Sequence, residues 1–188
     1  MTSRPNIAIG VTGASGAIYA HKLISSLMDI AKQWSSLRVV YTDSAKIVWE
    51  KELTQAQTFS NKVIIEDNHS FMSPLASGSG GIDCMFICPC SMGMLGRIAN
   101  GISNDLISRS ADVMLKERRQ LILVCRESPL NNIHIANMQK ISSSGGVIYP
   151  ASPSFYSEES TIDELINNFV LRLLLFAGFD VKLDRWGI

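Results

Sequence analysis

Asn6-Ile-Ala-Ile-Gly-Val-Thr12-Gly13-Ala14-Ser15-Gly16, followed by Ala17-Ile-Tyr-Ala-His-Lys-Leu23-Ile24-Ser-Ser-Leu27-Met-Asp-Ile30, decides how this chain is read. Asn6 to Thr12 is an apolar, β-branched run without alternation, the pattern of a strand covered on both faces. Gly13 to Gly16 is a turn. From Ala17 to Ile30 the apolar residues Ile18, Leu23, Ile24, Leu27 and Ile30 follow helical spacing. A buried strand, a small-residue turn and a helix make the opening unit of a parallel α/β fold.

The same alternation continues outward. Strands are expected at Arg38 to Thr42, Lys62 to Ile65, Cys84 to Cys90, Gln120 to Cys125 and Gly146 to Tyr149. Helices are expected at Ser44 to Leu53, Ser91 towards Ala99, Asn104 to Arg119, Leu130 to Ser143 and Thr161 to Ala177, the last capped within Ser160 to Asp163. Asp67 to Ile82, rich in Ser and Gly, reads as a loop. No linker or repeat divides the 188 residues. The expectation is a single α/β domain over 1–188, three-layered, Rossmann- or flavodoxin-like, with a mostly parallel sheet and ligands at the C-terminal strand ends.

Composition narrows the function classes. Seventeen basic residues balance seventeen acidic ones, so bulk charge gives no attraction to nucleic acid or membrane. No run reaches the roughly 18–20 apolar residues of a membrane span, since Leu171 to Gly178 is broken by Arg172. Met1 to Asn6 is short and polar, unlike a secretion signal, and a cytoplasmic location is expected. Three of four cysteines lie in Cys84-Met-Phe-Ile-Cys88-Pro-Cys90. Along an extended strand Cys84 and Cys88 stand about 13 Å apart, too far to share one zinc ion. They read as buried, reduced thiols, with even-numbered positions sharing a face. His21, His69 and His134 have no partner at ligand spacing, and no metal is assigned.

Five segments can carry chemistry. Gly10 to Gly16 suits a phosphate at a helix start or is an ordinary tight turn; it is neither Gly-x-Gly-x-x-Gly nor a Walker loop. Pro89-Cys90-Ser91-Met92-Gly93-Met94 repeats that arrangement, with Ser91 as helix cap or ligand contact. Two such turns on one sheet favour a mononucleotide across their ends. Arg109, Asp112 and Lys116 share a helix face by spacing, as a site or as a solvated charged surface. Arg126-Glu127 follows the strongest strand, as an acid–base element or a surface ion pair. Ser152 to Tyr156, with Arg172, offers anion contacts.

Together these segments resemble the UbiX flavin prenyltransferases, within the wider homo-oligomeric flavin-containing Cys decarboxylase group. The resemblance runs through nearly the whole chain. It is carried by Thr12-Gly13-Ala14-Ser15-Gly16-Ala17, Ala76-Ser77-Gly78-Ser79, Cys88-Pro89-Cys90-Ser91, Ala111-Asp112-Val113 and Leu115-Lys116-Glu117-Arg118-Arg119. Further carriers are Arg126-Glu127-x-Pro129-Leu130, Ile133-His134-x-x-Asn137-Met138, Pro153-x-Phe155-Tyr156 and Arg185-Trp186.

The resemblance implies FMN, in reduced form, as prenyl acceptor, contacted by Gly13, Ala14, Ser15, Thr42, Ser91, Met92, Gly93, Met94 and Arg126. It implies a phosphate clamp for dimethylallyl phosphate made of Lys116, Tyr156 and Arg172, supported by Arg109. Proton transfer falls to Glu127 with Ser15 and Glu52. Flavin nitrogen-5 displaces phosphate from the allyl carbon, and ring closure on carbon-6 adds a fourth ring. The product would serve a separate UbiD-type decarboxylase. Trimers assembling into dodecamers, with sites between subunits, are implied as well. Phe71-Met72 stands where relatives often have Trp-Met, and Met92-Gly93-Met94 where many have Lys-Thr or Thr-Gly-Thr. A cysteine decarboxylase of the wider group is the alternative, but His21 lies four residues too far along its helix for that chemistry. A non-catalytic flavin-binding accessory protein is the third reading.

Overall fold

The structure is a computed structural model that describes residues 4–53, 60–155 and 161–183. Six strands form one parallel sheet in the order β3-β2-β1-β4-β5-β6. They are β1 (Asn6–Val11), β2 (Ser36–Tyr41), β3 (Val63–Glu66), β4 (Cys84–Cys90), β5 (Gln120–Cys125) and β6 (Val147–Pro150). The helices are α1 (Ala17–Asp29), α2 (Asp43–Glu52), α3 (Met92–Ala99), α4 (Leu106–Lys116), α5 (Asn132–Ser143) and α6 (Ile162–Phe176).

Side-chain alternation along the strands builds two cores. Ile7, Ile9 and Val11 of β1, with Phe86 of β4 and Val124 of β5, face α1 and α6, where Leu23, Leu27, Phe169 and Leu173 meet them. Met85, Ile87, Leu121 and Leu123 point the other way, onto Leu95 of α3, Ile107 of α4 and Ile141 of α5. Every residue of β4 is buried, as a central strand covered on both faces requires. Gly10 leaves room for α4: a Cβ there would lie 2.9 Å from Ile107 Cγ2.

Most expected elements stand within one or two residues of the sequence reading, with three differences. Cys90 does not share a face with Cys84 and Cys88. Those two belong to the α1 side of the sheet, and Cys90 to the α3 side beside Cys125. The β4–β5 register shifts between Ile87 and Cys90, and Pro89 has no N–H for the ladder. All four thiols are buried and free. The Asp67 to Ile82 stretch contains two short 3₁₀ turns, Pro74–Ala76 and Gly78–Gly80. Finally, α4 starts only at Leu106, because Asp105 caps it through a reciprocal pair with Ser108. Thr161 caps α6 with Glu164 in the same way.

Candidate active site

The chain turns outward in both directions from β1 and β4, so the crevice between their C-terminal ends is the topological switch point of the sheet. Four loops meet there: Thr12–Gly16 after β1, Thr42 after β2, Asn68–His69 after β3 and Ser91 after β4. A hollow of about 360 Å³ opens between them, lined by Thr12, Gly13, Thr42, Ser44 and Ser91 together with Asp43, Asn68, His69, Arg97, Asn104 and Asp105.

Each helix start is fixed by a local device. Gly16 precedes α1 with φ +109°, a left-handed conformation that glycine adopts freely. It has no side chain to cap α1, and Glu52 does so from the end of α2: its Oε2 accepts from the amides of Gly16 and Ala17, each at 2.8 Å. Burial raises the Glu52 pKa, but hydrogen bonds from the Ser15 hydroxyl and the Gly16 and Ala17 amides, with the charge of Arg126, outweigh it and leave the carboxyl below its ordinary value. The Thr42 side chain accepts from Ala45 N to cap α2, and the Ser91 side chain accepts from Met94 N to cap α3. Gly13 brings the first turn against α2: a Cβ there would stand 2.4 Å from Ser44 Oγ. The starts of α2 and α3, with their positive dipole ends, thus border one crevice beside the Gly13 turn, while the first amides of α1 are taken by Glu52.

Of the residues expected at a flavin, Gly13, Thr42 and Ser91 line this hollow. Ser15 adjoins it, and its carbonyl accepts from Arg126 Nε at 2.9 Å. The Met92 and Met94 side chains are buried in the core on the α3 side, so this segment can offer a ligand only backbone and the Ser91 hydroxyl. Ala14 is nearly covered as well. Gly93 stands open, with nothing within 4 Å of a Cβ built on it. Arg126 and Glu127 part company, since Glu127 Oε1 folds back to accept from Ser128 N at 3.0 Å.

The expected phosphate clamp is spread wider. Lys116 pairs with the adjacent Glu117, whose carboxyl is held below its usual value first by that hydrogen bond. Lys116 borders a hollow with Arg118, Arg119, Ser143 and Gly145. Arg172 lies in another hollow of about 370 Å³, with Tyr149, Ser152, Ser154, Phe169 and Phe176. The two hollows share no lining residue. Tyr156 and Arg185-Trp186 fall outside the described residues. Arg109 has a structural post: its Nε donates to Ala76 O at 3.1 Å and its Nη1 to Asp112 at 2.7 Å. Arg119 donates to Gly78 O at 2.8 Å, so two α4-side arginines hold the Ala76–Ser79 loop.

The sequence placed Thr12 in the first candidate turn without a role of its own, and passed over Ser44, Asn68 and the His69–Asp43 pair at 3.1 Å. Ser44 carried a signal, as the third residue of a Thr-Asp-Ser helix start. Asn68 carried none, because its carboxamide accepts from Ile107 N, 39 residues away. His21 is packed 6.0 Å from the Trp49 ring with its pKa lowered, by burial first, and does not line the crevice. Among the described residues, no group of three His, Cys, Asp or Glu is placed to hold a metal ion.

Fold and crevice define a doubly wound α/β protein with a ligand-sized hollow at its switch point. The Flavoprotein family model matches residues 1–171. A flavin prenyltransferase UbiX of Methanocaldococcus jannaschii is 41% identical over 184 residues, covering 96% of this chain and 98% of that protein. A solved structure of AnUbiX (PadA1) in complex with FMN and dimethylallyl pyrophosphate has a TM-score of 0.91 at 35% identity, covering 98% of each chain. The dodecameric FMN-dependent UbiX-like decarboxylase of Escherichia coli O157:H7 has a TM-score of 0.90 at 32% identity, over 96% of this chain and 98% of that one. The chain belongs to the flavin prenyltransferase UbiX family.

Proposed function

We propose that this protein transfers a dimethylallyl group from dimethylallyl phosphate to reduced FMN. The observation that carries the reading is the switch-point crevice, where the turn after β1 and the starts of α2 and α3 converge around hydroxyls and a glycine with no room for a Cβ. The residues present fit FMN. Amide donors and the Thr42, Ser44 and Ser91 hydroxyls suit a phosphate monoester, and Gly13 lets backbone approach it. When bound, the reduced flavin supplies the nucleophilic atoms that accept the prenyl group.

The chain's own groups do the rest. Arg126, anchored on Ser15, adds a cation at the end of β5. Ser15 and Glu52 form a hydrogen-bonded pair at the start of α1, and Glu127 lies one residue beyond Arg126; these three handle protons. Lys116, Tyr156 and Arg172 take the donor's phosphate, with Arg109 supporting. Aromatic faces beside Arg172, such as Tyr149 and Phe176, can shield cationic character on the allyl group, each contributing on the order of 1–2 kcal/mol when desolvated.

Lys116 and Arg172 border separate hollows of one chain, which supports a clamp completed between chains. Met72, Ile133, Ile135, Phe155 and Phe176 are exposed apolar residues for such contacts. A trimer-based homo-oligomer, dodecameric in its full form like the relative from Escherichia coli O157:H7, is the assembly proposed by resemblance. The prenylated flavin would pass to a UbiD-type decarboxylase. Four free core thiols are compatible with a reducing cytoplasm, and no helix of the described residues is long and apolar enough to cross a membrane.

The test is anaerobic incubation of the purified protein with reduced FMN and dimethylallyl phosphate, then mass spectrometry of the released flavin. A flavin heavier by one five-carbon prenyl unit is the expected product. Unmodified FMN that remains bound would shift the reading to a flavin-binding accessory protein.

A further inference from the structure

We infer that Thr12 is a positioning residue that sets the geometry of the flavin crevice by replacing a missing rung of the β-sheet. The β1–β4 ladder ends at the pair Gly10 and Ile87. Beyond it the chain of β4 cannot continue the pattern: Pro89 has no N–H, and the register with β5 shifts between Ile87 and Cys90. The regular ladder between the two strands therefore stops where their ends form the walls of the crevice.

Thr12 spans that gap. Its backbone N–H donates to Pro89 O at 3.3 Å. Its hydroxyl donates to the same carbonyl at 2.7 Å and accepts from Ser91 N at 2.8 Å. The residue is 2% exposed, so these bonds form away from competing water. The hydroxyl has one proton, and that proton is committed to Pro89. Thr12 therefore borders the ligand without donating to it, and acts through Ser91, the cap of α3. Neither aliphatic nor purely accepting side chains can do both tasks. Serine can.

This inference rests on FMN occupying the crevice. It is tested by Thr12→Val, which keeps the shape and removes both hydroxyl bonds, and Thr12→Ser, which keeps both bonds and removes a methyl. The readouts are the FMN dissociation constant and the exchange rate of the Ser91 amide in flavin-free protein. Thr12→Val is expected to weaken FMN binding by roughly ten-fold or more, the size of one to two lost buried hydrogen bonds, and to speed Ser91 exchange; Thr12→Ser should stay within about three-fold of wild type for each. If Thr12→Val does not fold, Thr12→Cys, a weak donor and acceptor of similar size, is used and should fall on the Val side. Unchanged FMN affinity in folded Thr12→Val, or equal losses in Val and Ser, would overturn the inference. The outcome is separable from the transferase reading: wild-type protein that binds FMN but yields no prenylated flavin would sink that reading and leave the Thr12 comparison intact.

Discussion

The carboxylate of Glu52, the last residue of α2, caps the start of α1 by accepting from Gly16 N at 2.8 Å, and from Ala17 N at the same distance. The contact joins two helices through one side chain and places a negative charge at a positive dipole end. It also engages the Ser15 hydroxyl, so a structural cap and a proposed proton-handling pair are the same group.

Removing that cap should therefore cost both stability and activity. Glu52→Ala is expected to lower stability by about 1–2 kcal/mol, the usual range for a lost helix cap, and to abolish transfer. Glu52→Gln keeps an acceptor at the cap and loses the charge, so most of the stability should remain. The pH dependence separates the two. Because the folded-state pKa of Glu52 is depressed, its charge contributes stability that is present above the ordinary carboxylate range and is lost as pH falls through the folded value. Thermal melts of wild type should then fall more steeply below about pH 4 than those of Glu52→Gln. Parallel curves would show that the charge of Glu52 contributes nothing to the cap.

Gly13 is predicted to be irreplaceable for a steric reason that can be relieved. A Cβ at Gly13 would sit 2.4 Å from Ser44 Oγ and 2.6 Å from Ser44 Cβ. Gly13→Ala should push α2 away from the first turn and weaken FMN binding by roughly ten-fold or more, equivalent to about 1.4 kcal/mol. Removing only the Ser44 hydroxyl leaves the Cβ clash, so Gly13→Ala with Ser44→Ala should recover little. Gly13→Ala with Ser44→Gly removes both contacts and should bind FMN as well as Ser44→Gly alone, which itself lacks the hydroxyl offered to the phosphate. Titration of FMN fluorescence across this double-mutant cycle checks the coupling.

Lys116 and Arg109 both lie on α4 but should give opposite phenotypes. Arg109 is tied to the Ala76 carbonyl and to Asp112, so Arg109→Ala is expected to destabilise the 74–80 turns by about 1–2 kcal/mol. Lys116 pairs only with its exposed neighbour Glu117 among the contacts seen, a surface pair of little worth. Lys116→Ala should leave the melting temperature within about 2 °C of wild type while raising the KM for dimethylallyl phosphate. Calorimetry and steady-state kinetics on the two variants distinguish them; a Lys116→Ala protein with wild-type KM would remove Lys116 from the clamp.

The fold was legible because its strands are short apolar runs and its helices after α1 begin at capping residues. Cys84 to Cys90 and Gln120 to Cys125 matched to the residue. What escaped was non-local. Nothing near Asn68 signals that it holds the start of α4, and nothing near Thr12 signals that it bridges Pro89 to Ser91. The face of Cys90 was misjudged because period-two counting assumes an unbroken ladder, and Pro89 breaks it. At the site, the turns at Gly13 and Ser91 could be placed from their position after strands. The Met92 and Met94 side chains could not, because whether a helix start turns its residues to the ligand or the core depends on packing against other elements.

Glu127 tests the proton-transfer assignment most directly. Its carboxylate accepts only from the adjacent Ser128 amide among the bonds seen, and it stands exposed just past the β5 end. A group so lightly tied is free to meet a ligand, and its loss should disturb little else. Glu127→Gln preserves size and can still accept from Ser128 N, so the melt and the FMN dissociation constant should stay near wild type. Transfer requires the acid–base function that an amide lacks, and turnover should fall by about 10²-fold or more. Glu127→Asp, which restores the carboxyl on a shorter stem, should regain part of the rate. The measurement is single-turnover formation of prenylated flavin in wild type and both variants. Loss in Gln with partial recovery in Asp would assign the proton to Glu127; wild-type rates in Gln would move that role to the Ser15–Glu52 pair.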